Sequence, residues 1–158
     1  MLWLALLTAT AWVDFVVIVL SKIIPLTKSL GQWYSQFGVS AVTADVLIIV
    51  LGIALAQFLF PGISGWSLVA VAVTIQLIHD ILFYLLVVQR VPDGQNKMID
   101  TFKTYASEGS WKILLADASM VTASVLLMEF LDNVLTDDQL GFMGLLAVYS
   151  LVYIVNTK

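Results

Sequence analysis

Five ionisable side chains stand inside stretches that are otherwise apolar enough for lipid: Asp14, Asp45, His79, Asp80 and Asp117. An acid near a bilayer centre costs at least about 2.5 kcal/mol on insertion scales. Such groups therefore need partners, protons or water. Asp14 has Thr10 one turn before it and Ser21 two turns after it, which puts the three on one helix face. Asp45 shares its face with Gly52 and Ala56, small residues that let a neighbouring helix come close. Gln76 lies one turn before Asp80 and three residues before His79. Asp117 has Ser124 two turns onward.

Three chemistries suit these residue types. Buried hydrogen bonds and a His79–Asp80 pair would fix helix packing. Carboxylates beside a histidine would relay protons or guide cations, with Asp14, Asp45, Gln76, His79, Asp80 and Asp117 as the relay or coordinating groups. His79, Asp80 and Asp117 would ligate a hard divalent ion or zinc. The chain's one His stands outside HxxxH or HExxH spacing, which weakens the metal pattern. There is no GxSxG, no phosphate-binding glycine loop and no local Ser/His/Asp arrangement. The sequence thus leans away from an enzyme. No cofactor is expected beyond a proton or a divalent cation.

The positioning elements follow from composition. Of 158 residues, 61% are hydrophobic and only 11% charged, and the mean hydropathy is +1.00. A soluble domain carries roughly 25% charged residues, so this chain reads as an integral membrane protein. With no Cys there is no disulfide framework, thiolate metal site or cysteine nucleophile. The net charge of −4 argues against a nucleic-acid partner.

A helix needs roughly 20 mostly apolar residues to cross the hydrocarbon core. Five segments approach that length, at about 2–24, 39–60, 66–89, 111–131 and 140–155. Helix is preferred because lipid makes each span satisfy its own backbone. The fold class is all-α: a polytopic bundle of five transmembrane helices in a single domain, with two short interfacial helices.

Charge sets the expected topology. Lys22 and Lys28 flank the first connection, and Arg90, Lys97, Lys103 and Lys112 flank the third, with Lys158 at the C-terminus. Five spans put all seven basic residues on one side. The N-terminus, the turn from Phe60 to Gly65 and the acidic stretch from Asp132 to Asp138 then share the other. The positive-inside rule gives an outer or lumenal N-terminus and a cytoplasmic C-terminus. At ~1.5 Å per residue, Asp45 and Asp117 lie about 7 and 9 Å from the inner end of their spans. Asp14 lies about 12 Å from Lys22, and His79 and Asp80 about 15 Å from Arg90, on the same rise per residue. All five therefore sit between the inner interface and the midplane. Glu129, Asp132, Asp137 and Asp138 read as a solvated outer rim.

The two inner connections carry helical stripes. Leu26, Leu30, Trp33 and Phe37 recur at helical spacing over about 26–37, between Pro25 and Gly38. Ser29, Gln32 and Gln36 fall away from that stripe. After the Pro92-Asp93-Gly94 turn signal, Met98, Ile99, Phe102 and Tyr105 form a second stripe over about 96–106, with Lys97, Asp100 and Lys103 opposite. Both read as helices lying in the interface. Trp33, Tyr34, Phe102, Tyr105, Lys97 and Lys103 are their expected lipid and headgroup contacts.

Three segments carry a family resemblance: Ser40-Ala41-Val42-Thr43-Ala44-Asp45-Val46-Leu47-Ile48-Ile49-Val50-Leu51-Gly52, Gln76-Leu77-Ile78-His79-Asp80-Ile81-Leu82-Phe83-Tyr84 and Trp111-Lys112-Ile113-Leu114-Leu115-Ala116-Asp117-Ala118. The chain resembles, from its first connection to its fourth span, an uncharacterised multi-span membrane protein family of large DNA viruses of algae and protists. The resemblance implies residence in a virion internal membrane or a host-derived membrane, and no activity. Asp14 lies outside its motifs.

Together these features give a first reading as a non-enzymatic membrane component, plausibly of a viral membrane. Its partners would be the lipid bilayer and either further copies of itself as a homo-oligomer or other membrane or virion proteins. The alternative is a small proton or cation channel or transporter using the Asp/His cluster. A metal-dependent intramembrane enzyme comes third.

Overall fold

A computed structural model of the chain describes residues 3–24, 28–109 and 111–157. The described residues run through seven α-helices. These are α1 (Trp3–Ile23), α2 (Lys28–Phe37), α3 (Val39–Leu59), α4 (Gly65–Phe83), α5 (Lys97–Gly109), α6 (Trp111–Val134) and α7 (Asp137–Asn156). Five are long and apolar enough to cross a membrane, with no strand among the described residues. The chain is an all-α polytopic membrane protein. Leu2, Pro25, Leu26 and Lys158 lie outside the described residues.

Local chemistry sets the helix ends. Thr136 and Gln139 form a capping box that starts α7, three residues before the apolar run expected from 140. Asn96 Oδ1 accepts the amide N–H groups of Met98 (2.9 Å) and Ile99 (3.3 Å) and starts α5. Gly38, at φ +50°, separates α2 from α3, a backbone state that costs other residues about 1–2 kcal/mol.

The third span ends differently from its expected plain helix. After Phe83 it continues as a π-helical turn, Tyr84–Val88, in which the Gln89 amide reaches the Tyr84 carbonyl at 3.0 Å. Such wide turns often occur at functional sites. The uniformly apolar run Tyr84-Leu85-Leu86-Val87-Val88 contains no Pro or Gly to announce it.

The bundle is built around α1, which packs on α7, α6 and α3, while α4 closes against α3 and α6. Its Ala5, Thr8, Ala9, Thr10 and Ala11 are buried. Small residues matter here because lipid supplies no hydrophobic force between helices; close van der Waals packing and interhelical hydrogen bonds must do so. Helices α1 and α7 run parallel. Thr8 Oγ1 donates to the Leu140 carbonyl (3.2 Å) and Trp12 Nε1 to the Met143 carbonyl (3.2 Å). Gly144 permits this approach, since a Cβ there would stand 2.8 Å from Thr8 Oγ1. Further along, the Lys22 ammonium donates to the Thr157 carbonyl. The outer surface is apolar, with Leu51, Phe58, Leu86, Leu145 and Val148 among its exposed residues, as suits a lipid-facing belt.

Helices α2 and α5 pack on each other at one end of the bundle. The Trp33 and Phe102 ring centroids are 4.6 Å apart. Trp33, Tyr34 and Ile99 are buried. Thus the aromatic residues expected at headgroup level face the protein interior. The apolar stripe of each helix is covered by protein, which periodicity alone cannot distinguish from coverage by lipid.

Candidate functional site

Three of the four immersed acids, each from a different span, line one cavity under the α2–α5 cover. A cavity of about 320 Å³ is lined by Asp45 of α3, by Gln76, His79 and Asp80 of α4, and by Asp117 of α6. Trp33 and Tyr34 line it from α2, and Phe102 and Tyr105 from α5. Among the described residues no Lys or Arg lines it. Asp14 stands behind it, fully buried on α1.

Each acid is held differently. Asp45 Oδ2 accepts the Trp33 indole N–H at 3.0 Å. Asp14 Oδ1 accepts the Tyr34 hydroxyl at 3.3 Å, while its buried Oδ2 has no hydrogen-bond partner among the described residues. The Tyr34 phenol also feels Asp45, so it bridges the buried acid of α1 and the cavity acid of α3. Burial, then the charges of Asp45 and Asp14, push its ionisation well above the ordinary 10.0. Tyr34 is therefore a standing proton donor.

Asp80 Oδ1 accepts Gln76 Nε2 at 2.7 Å and lies 3.1 Å from His79 Nδ1. Its Oδ2 is buried without a hydrogen-bond partner among the described residues. His79 stacks on Phe83, ring centroids 5.7 Å apart. Because His79, Asp80 and Gln76 all belong to α4, their bonds tie no two helices together. The expected packing role for a His–Asp pair is not what this geometry provides. Gln76 does meet α3, since a Cβ on Gly52 would lie 3.7 Å from its Oε1. This is the close approach expected on the Asp45 face.

Asp117, half-buried on α6, lines the cavity from that helix. Its neighbour across the cavity is Tyr105. Burial, followed by the negative charges of Asp117 and Asp45, raises that phenol above its ordinary 10.0. Met120, one turn beyond Ala116, closes the cavity from α6.

A second cavity of about 350 Å³ adjoins the first. Asp80, Phe83, Phe102, Tyr105, Ile113 and Asp117 line both. Its remaining wall is mostly apolar: Ile81, Leu85 and Val88 from the end of the third span and Leu114 from α6. Ile81 and Leu85 are exposed on the bundle flank, so this cavity opens sideways.

No family model, no characterised protein and no solved structure matches this chain. Its chemistry must therefore be read from the site itself.

Several expected sites take other roles. Among the described residues no three His, Asp or Glu side chains converge closely enough to hold a metal ion, so His79, Asp80 and Asp117 do not form a ligand set by themselves. Ser21 Oγ donates to the Ile18 carbonyl of its own helix, 2.8 Å away, and so does not serve Asp14. Lys103 donates to the Val91 carbonyl at 2.7 Å and pairs with Asp93, which pins the third connection. Lys97 is exposed. Glu129, expected on a solvated rim, is half-buried; its Oε1 accepts the Gly65 amide N–H at 2.6 Å and caps the first turn of α4. Asp137 and Asp138 do lie exposed in the first turn of α7, where negative charge complements the helix dipole. Tyr105 was legible as an aromatic on a stripe, and Tyr34 as an expected headgroup contact beside one. Their place against the carboxylates was not, since no local spacing relates them to Asp14 or Asp117.

Proposed function

We propose that this integral membrane protein binds and transfers cations, protons included, through its acid-lined cavity. One observation carries the reading: Asp45, Asp80 and Asp117, from three helices, wall the cavity with His79 and with no Lys or Arg among the described residues. Uncompensated carboxylates in a low-dielectric interior are costly, and a proton or a bound cation offsets that cost. A purely structural cluster would spend its polar atoms on one another. Here Asp80 Oδ2 has no hydrogen-bond partner among the described residues. An inward orientation of the basic ends, by the positive-inside rule, would open the cavity toward the cytoplasmic half of the membrane. Residence in a viral internal or host-derived membrane is the companion reading. It is supported by the resemblance of the motifs around Asp45, His79–Asp80 and Asp117, which are also the cavity's own segments.

The test is flux in liposomes. Protein reconstituted with a pH-sensitive dye inside should dissipate an imposed pH gradient faster than empty vesicles. Asp80→Asn and Asp117→Asn should each slow that rate at least tenfold. A wild type no faster than empty liposomes at either gradient polarity would refute the reading, as would a rate that survives both substitutions.

A further inference from the structure

We propose, building on the cation-handling reading, that the two adjoining cavities form one binding site for a single-chain amphipathic amine, with its ammonium between Asp80 and Asp117 and its chain in the lateral cavity.

The head position follows from charge and aromatic faces. Carboxylates from three helices line the inner cavity with no Lys or Arg among the described residues, which favours a cation and repels any phosphate-bearing headgroup. Trp33, Phe83, Phe102 and Tyr105 surround the same space, and aromatic faces attract organic cations by about 0.5–2 kcal/mol each. A bare metal ion fits less well. It requires several oxygen or nitrogen ligands at once, and no three His, Asp or Glu side chains converge among the described residues. An ammonium needs only separated acceptors, and the carboxylates of Asp80 and Asp117, which line both cavities, provide them.

The tail position follows from the second cavity. It shares Asp80, Phe83, Tyr105 and Asp117 with the first as lining residues. The π turn widens the helix where Leu85 and Val88 form its wall. Ile81 and Leu85 are about half exposed, at 50% and 46%, so the opening faces the flank that meets acyl chains. At about 350 and 320 Å³, the two volumes fall in the range of ligand pockets, ~300–1,000 Å³. An amine entering from the bilayer would compete with protons for the same carboxylates, which couples its binding to proton release.

The test uses tritiated sphingosine titrated onto the protein in phosphatidylcholine nanodiscs, with empty nanodiscs subtracted. Saturable binding of one amine per chain is expected. Asp117→Asn should weaken it at least tenfold, with Asp80→Asn in its place if that variant does not fold. Leu85→Trp fills the lateral cavity from an exposed position and should also weaken binding at least tenfold without changing the thermal midpoint. Lysophosphatidylcholine, which carries a phosphate, should not displace the label. Uptake equal to empty nanodiscs, displacement by lysophosphatidylcholine, or wild-type affinity in either the acid variant or Leu85→Trp would overturn the proposal. Proton flux without sphingosine binding would leave cation handling standing and remove the amine site. Sphingosine binding without flux would do the reverse.

Discussion

The indole Nε1–H of Trp33 donates to Asp45 Oδ2 at 3.0 Å, joining the short helix α2 to the first turns of α3. Twelve residues separate the two in sequence, and Gly38 turns the chain between them. This bond converts an amphipathic connection into the cover of an acid-lined cavity. It also provides Asp45 with a donor that water cannot easily replace.

Removing that donor should destabilise the protein. Trp33→Phe keeps a ring against Phe102 but leaves Asp45 short of a buried hydrogen bond, which costs about 1–3 kcal/mol. The thermal midpoint in detergent should fall, whereas Trp3→Phe, at a half-exposed ring (51%), should leave it unchanged. An equal midpoint for Trp33→Phe and wild type would show that Asp45 is solvated.

The α1–α7 seam gives a separate test. A Cβ at position 144 would sit 2.8 Å from Thr8 Oγ1, too close without movement of one helix. Gly144→Ala should cost about 1–3 kcal/mol through overpacking. Thr8→Ala removes the obstructing hydroxyl, so the double variant should recover part of the loss. A double-mutant cycle followed by thermal unfolding checks this. Strictly additive effects would contradict the contact.

Two tyrosines set a pH signature outside the spans. Tyr34 and Tyr105 ionise above their ordinary value of 10.0 in the fold, chiefly through burial. The folded protein therefore holds more phenol protons than the unfolded chain once pH exceeds about 10, so stability is full below that pH and falls above it. Absorbance at the tyrosinate band should show the effect. Tyr34→Phe and Tyr105→Phe should leave the titration of the folded protein between pH 9 and 11 unchanged. Loss of one tyrosine's amplitude in that window would place the phenol in water.

Topology is open to direct labelling because the chain contains no Cys. Gln95→Cys and Asp138→Cys place single thiols at exposed positions in the third and fourth connections. A membrane-impermeant maleimide applied to intact cells should modify position 138 only, and position 95 only after permeabilisation. The converse pattern would invert the orientation expected from the basic residues.

The spans were readable because lipid demands about twenty apolar residues per crossing, and five such runs stand out between connections marked by charge or by Pro and Gly. That Asp45, Asp80 and Asp117 all fall between the inner interface and the midplane was also an expectation of the sequence, since helix rise converts sequence distance into depth. What covered them was not. The stripes holding Trp33 and Phe102 look alike whether they face lipid or protein, and only tertiary packing sets the two rings 4.6 Å apart. The π turn after Phe83 likewise has no local signal. Glu129 shows the same limit at the other end of the bundle: its partner, the Gly65 amide, is sixty-four residues away.

The central claim is that acids from separate spans share one enclosed site. Reaction with dicyclohexylcarbodiimide, an apolar carboxyl reagent, tests it by intact-mass and peptide-mapping mass spectrometry. A cavity of about 320 Å³ has room for one such adduct beside Asp45, Asp80 and Asp117. The account expects a single adduct per chain, distributed over these three residues and never on two of them at once. Two or three adducts accumulating independently on one molecule would contradict it, because the acids would then occupy separate crevices.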